Sequence, residues 1–180
     1  GESTETIEFD NLVVYSNPGG ASASASEDEP SRGGPLALGE RRKVFVETVG
    51  SEGGTLVVNA PGDALDGLTF EIPTGAYPNG TTVEVHARDI EGHDLGPDFN
   101  PASPLIEIDA GEDLAEDFVT VTIPVEIAPD AFGMAFAYEA EDGALEGMTH
   151  LGSDPGGVRF ASRYLSRDLV VGTVKLDRLE

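Results

Sequence analysis

From about residue 42 onward, apolar and polar residues alternate along the chain, the period of a strand with one face on a core. FVTVTIPVEI carries the pattern most clearly. Val119, Val121, Ile123, Val125 and Ile127 fall on one side, Thr120, Thr122 and Glu126 on the other, and Pro124 marks an edge or bulge. In GLTFEIP, Leu68, Phe70 and Ile72 oppose Thr69 and Glu71; in TTVEVHARD, Val83, Val85 and Ala87 oppose Glu84, His86 and Arg88, which makes His86 an exposed residue. Shorter runs of the same kind occur at RKVFVETV, GTLVV, PLIEI, GMAFAYE, GVRFAS and RDLVVGTVKL. Between them stand PGD, YPNG, GHDLGPD, APDAFG, EDG and SDPGG, whose residues favour turns. Many short strands joined by such turns predict an all-β antiparallel sandwich. The one helix candidate is GEDLAEDF, which a loop explains equally well.

The first 40 residues break the pattern. IEFDNLVVY, within residues 1–15, reads as an N-terminal strand added at an edge of the sandwich. Residues 16–41, and above all SNPGGASASASEDEPSRGGP, have too little apolar content to repay ordering and read as a flexible linker or long loop. The sandwich itself is expected over residues 42–178.

Composition narrows the chemistry. With 34 acidic against 10 basic residues and a formal charge of −24, the surface repels phosphate, so neither nucleic acid nor an anionic membrane is an expected partner. No run approaches the roughly 20 apolar residues of a spanning helix, so no direct membrane insertion is expected. The lack of cysteine excludes disulfides, thiolate metal sites and a cysteine nucleophile. No phosphate-cradling, zinc-protease or serine-hydrolase motif is present, and His86, His93 and His150 have no metal-ligand spacing. These readings lead to no enzyme activity and no cofactor.

Two weaker constellations remain. DIEGHD brings Asp89, Glu91 and Asp94 together in one stretch, which raises calcium. The helix-loop-helix calcium pattern requires glycine at its sixth position, where this chain has Asp94, so a solvated loop is expected. Sugar recognition relies on exposed aromatic platforms. The chain has no tryptophan; Tyr77 lies in a turn open to exposure, whereas Tyr138 and Tyr164 fall in strand-like runs.

GGTLVVNAPGDALDGLTFEIPTGAYPNGTTVEV, residues 53–85, resembles the ZU-five domain of ankyrins, netrin receptors and related bacterial surface proteins. Gly53, Gly54, Leu56, Ile72, Pro73, Gly75 and Ala76 stand at the family's GG-x-L and I-P-x-G-A positions. SPLIEIDAGEDLAEDFVTVTIP, residues 103–124, is similar to its second half, with Ser103 and Pro104 opening one strand and Ile123 and Pro124 closing another. The resemblance implies a sandwich that serves as a non-enzymatic structural or protein-interaction module of a bacterial cell-surface or secreted protein, extracellular or in the cell envelope. Its partner would be another protein or a neighbouring module.

The same resemblance raises an alternative. Self-cleaving relatives cut at a His-Phe-Ser or His-Leu-Thr tripeptide, and Tyr164, Leu165 and Ser166 of RYLSRD occupy that place. Such a domain would cut between Leu165 and Ser166. Its base would have to be Tyr164, whose phenol, with an ordinary pKa of about 10, is protonated at neutral pH, where histidine at roughly 6.5 accepts a proton. Ser166 is therefore expected to be an uncleaved sheet residue at the start of the final strand. A calcium- or glycan-binding sandwich is the other alternative.

Overall fold

The computed structural model describes residues 36–95, 99–154 and 156–175; the N-terminal strand and most of the linker expected from the sequence lie outside the described residues. All strand pairings are antiparallel, and no helix is present among the described residues. The strands in chain order are β1 (Leu36–Leu38), β2 (Arg42–Val49), β3 (Gly54–Val57), β4 (Thr69–Ile72), β5 (Thr81–Arg88), β6 (Ile90–His93) and β7 (Asn100–Pro101). They continue as β8 (Leu105–Asp109), β9 (Val119–Ile123), β10 (Ala131–Glu139), β11 (Ala144–Gly147), β12 (Thr149–Asp154), β13 (Gly157–Ser162) and β14 (Asp168–Lys175).

Two sheets pack face to face. One is five-stranded in the order β12-β13-β9-β4-β3; the other is seven-stranded, ordered β11-β10-β14-β8-β5-β2 with β7 also paired to β14. Register in the first sheet lines up Leu56, Phe70, Val121, Phe160 and His150 in one transverse row. In the facing sheet Ala87, Ile106, Leu169 and Ala137 are in register across four strands, with alanines at both ends of the row. All but His150 of these row residues are buried in one core between the two sheets. Complete burial of a phenylalanine such as Phe70 contributes about 1.5–3 kcal/mol.

The seven-stranded sheet has a second, outer face. β1 and β6 pair into a two-stranded ribbon, and Leu36 of that ribbon is buried with Leu105, Val170 and Tyr138. Phe99 packs edge-on against Phe136 at 5.4 Å between ring centres. Gly172 makes room for it, since a Cβ there would come within 1.9 Å of the Phe99 ring.

Two expectations change, and one choice left open by the sequence is decided. Leu36–Leu38, grouped with the linker by composition, form a strand, and Ile90–His93, read as a loop, form its partner. A ribbon this short needs only one or two apolar residues inward, so it leaves no alternation to detect. GEDLAEDF is a loop between β8 and β9 rather than a helix. The strand in FVTVTIPVEI stops at Ile123, before Pro124, although Val125 and Ile127 remain buried as the alternation predicts.

Candidate functional site

The hexapeptide Arg163 to Asp168 carries the chain from the end of β13 in one sheet to the start of β14 in the other. Ser166 therefore lies in the crossover, two residues before β14, and not in the strand where the alternation placed it. Leu165 points into the main core and is 2% exposed. The Ser166 hydroxyl accepts the Ala110 N–H at 2.8 Å and donates to the Gly111 carbonyl at 2.6 Å. The Leu165 carbonyl accepts the Arg167 N–H at 2.8 Å, closing a tight turn around Ser166. Further bonds fasten the same segment to the β8–β9 region. Arg163 donates Nε to the Ala115 carbonyl, Ala115 returns its N–H to Arg163, and Ile108 donates to the Arg167 carbonyl.

Chemically this arrangement is a staple. A serine nucleophile needs a group that takes its proton and a line of attack on the preceding carbonyl carbon. Ser166 instead donates its hydrogen bond to the Gly111 backbone carbonyl, which accepts no proton at neutral pH. Tyr164 is held by its backbone, its N–H donating to Ser162 Oγ at 3.1 Å and its carbonyl accepting from the same hydroxyl at 2.7 Å.

Beside the staple is a cleft of about 560 Å³ lined by Tyr138, Glu139, Glu141, Tyr164, Arg167 and Asp168. Partial burial, then the charges of Glu107 and Glu139, raise the Asp168 carboxyl above its ordinary pKa, against the opposing pull of Arg41 and Arg88. A raised carboxylate pKa favours folding at pH below the unfolded value, and that advantage is lost as pH rises through the folded value. Asp168→Asn is accordingly expected to raise the melting temperature at pH 7. At about pH 3, below the ordinary aspartate value, the gain should disappear. Melts of both proteins at the two pH values check this, and equal effects at both would contradict it.

The outer face of the seven-stranded sheet next to Asp168 is charged. Arg41 pairs with Glu107 and Lys43 with Glu84. His86 stands in register between Lys43 and Glu107 and is only 9% exposed, contrary to the exposure its polar face suggested. Long side chains from the flanking strands cover a central strand even on its polar side.

The acidic stretch does not converge. Ile90 packs on the outer apolar cluster, while Glu91 on the opposite side of the strand is exposed. Asp89 accepts a bond from Arg42 at 3.1 Å, and Arg42 also holds Asp63 at 2.8 Å. Asp94 is exposed beyond the strand end. Among the described residues, no group of three or more His, Cys, Asp or Glu is placed to hold a metal ion.

Tyr77 overturns its expectation too. It is 3% exposed, beneath the YPNG turn closed by the Gly80 N–H to its own carbonyl, and its hydroxyl has no hydrogen-bond partner. Sequence reading gave no role to the Ser103 hydroxyl, which accepts the Val171 N–H at 2.9 Å and bridges the gap between β7 and β8 along β14. Serine before proline at a strand entrance was its available signal.

No protein-family model matches the chain, and no curated protein matches it.

Proposed function

We propose that this domain is a non-enzymatic structural or protein-interaction module of the ZU-five kind, belonging to a bacterial cell-surface or secreted protein. The observation that carries the reading is the double engagement of Ser166, whose hydroxyl holds two backbone groups of a loop more than 50 residues away in sequence. The residue with the best claim to chemistry is employed in holding two segments together. The positions that carry the resemblance also do structural work. Gly53 and Gly75 adopt φ of +71° and +82°, and Ala76 and Ile72 are buried. One flank of the sandwich presents the edge strands β2 and β3 of the two sheets, with Val46 and Val57 about half exposed there, a surface suited to a protein neighbour.

The test is the intact mass of the full chain in denaturing solvent after prolonged incubation at neutral pH. One species at full mass is expected. A fragment beginning at Ser166, absent from Ser166→Ala, would replace this reading with self-cleavage.

A further inference from the structure

The outer face of the five-stranded sheet differs from the rest of this acidic molecule. Leu56, Phe70, Val121 and Phe160 turn into the core, so their strand neighbours turn outward. Register sets these neighbours in two transverse rows. One runs Thr55, Glu71, Thr120, Ala161 and Thr149, and the next Val57, Thr69, Thr122, Arg159 and Gly152. Half of these positions are threonine, and the two charges in the rows, Glu71 and Arg159, have opposite sign. The chain carries a formal charge of −24, so a face whose rows sum to zero is where a body of like charge meets least repulsion. Asp154 stands at the corner of the face, its Oδ1 accepting the Gly156 N–H.

The face is also apolar at three points. Val57 is 50% exposed, Leu151 at the bulge in β12 is 45% exposed, and Phe118, one residue before β9 and in phase with Thr120 and Thr122, is 54% exposed. The opposite outer face is instead charged, and the β1–β6 ribbon covers part of it. Glu71 and Arg159 are exposed and make no ion pair. Among the described residues, Arg159 is the one arginine that has no hydrogen bond either. Its guanidinium reaches across Gly152 of the neighbouring strand, where a Cβ would meet it at 2.8 Å.

We propose that this face binds the same face of a second copy of the chain, in a reversible two-fold dimer. A second copy is a protein partner, so the contact rests on the interaction-module reading and names its occupant. A two-fold axis lying in the contact plane along β9 exchanges left and right, so β4 of each copy lies over β13 of the other, and β3 over β12. Glu71 then faces the strand that carries Arg159, twice. Val57 faces the strand that carries Leu151, and Phe118, in line with the axis, meets its own counterpart. One surface supplies both halves of each complement, as an isologous contact requires. At about 4.8 Å per strand and about 3.3 Å per residue, five strands of four to six residues make a plane of roughly 300–500 Å². Two such planes bury about 600–1,000 Å², at the low end for specific contacts, which gives a dimer that dissociates on dilution.

Sedimentation equilibrium of the full chain between about 1 µM and 1 mM, at roughly 0.15 M salt where the Debye length is about 8 Å, tests the dimer. A monomer–dimer equilibrium is expected. Arg159→Glu and Glu71→Arg should each weaken it about tenfold, and the double exchange, which keeps the net charge, should restore it. Net charge alone would move the two single variants in opposite directions. Val46→Lys, on the edge strand β2, should leave the dimer unchanged, and thermal melts check that every variant folds. Radical labelling of Phe118 should fall as concentration rises. A monomer throughout, a dimer that ignores the charge exchange, or one lost in Val46→Lys would overturn the proposal, the last assigning the contact to the β2 edge. Phe118 shielded at every concentration in a monomer would overturn it too, assigning the face to residues 1–35 of the same chain. A monomer of intact mass rejects the second copy and leaves the module reading standing, whereas a fragment beginning at Ser166 rejects the module reading itself.

Discussion

Gly53→Ala is expected to lower the unfolding free energy by about 2–5 kcal/mol, combining a left-handed backbone cost of about 1–2 kcal/mol with about 1–3 kcal/mol for forcing atoms apart in a packed turn. The first part follows from φ of +71° at this position. The second follows from what an added methyl would meet: the Ile72 carbonyl oxygen at 2.3 Å and that of Pro73 at 2.6 Å. Both are backbone atoms, so no side chain can swing aside. Either the turn before β3 or the exit of β4 must move, which loosens the Gly54 to Ile72 register between them. Gly75→Ala supplies the comparison. Its φ is +82°, but nothing lies within 4 Å of the added carbon, so only the conformational cost of about 1–2 kcal/mol applies. Denaturant unfolding of the two variants should separate them with Gly53→Ala the less stable. Equal losses would mean that the turn yields without resistance.

Ser166→Ala is expected to cost about 1–3 kcal/mol, the range for leaving a buried donor unsatisfied. Ala110 is 2% exposed, and its N–H loses its acceptor when the hydroxyl is removed. The Gly111 carbonyl loses a donor as well, but Gly111 is exposed and water can replace it. Ser51→Ala, at an exposed turn residue with no side-chain hydrogen bond, should stay within about 0.5 kcal/mol of the parent. Hydrogen exchange gives a local reading, because the Ala110 amide should lose protection by more than its neighbours in the sheets. Unchanged stability and unchanged exchange at Ala110 would show that the staple carries no strain-bearing role.

The antiparallel sandwich was legible because its strands turn one regularly spaced apolar face onto the main core. Val119, Val121 and Ile123 on one strand and Val83, Val85 and Ala87 on another display the strict period of two that this burial imposes. The strands that escaped reading are short and peripheral. Ile90–His93 needs only Ile90 to face apolar neighbours, and Ala144–Gly147 lies at a sheet edge where a polar sequence meets little penalty. The burial of His86 was hidden for another reason: alternation tells which face a residue is on, but not whether arginine and lysine stems from adjacent strands cover that face. Of the candidate site, the composition of the hexapeptide was visible, but the use of Ser166 was not. Its partners lie 56 and 55 residues away and meet it only through the crossover between sheets. Tyr77 has the same history, since a turn reads as exposed until a distant loop closes over it.

The position of β14 governs the order in which the molecule can be completed. It lies between β10 on one side and β8 on the other, so before it arrives the seven-stranded sheet exists only as two paired pieces, β11-β10 and β8-β5-β2, with β7 still unpaired. Each piece then has an inner edge of unpaired backbone groups, and all of their strands leave the ribosome before the strand that joins them. The contacts that seal the sheet therefore form after every other strand of it has been made and span long stretches of chain, a pattern that slows folding and leaves sticky edges exposed meanwhile. The seven-stranded sheet depends on β14 as an arch depends on its keystone.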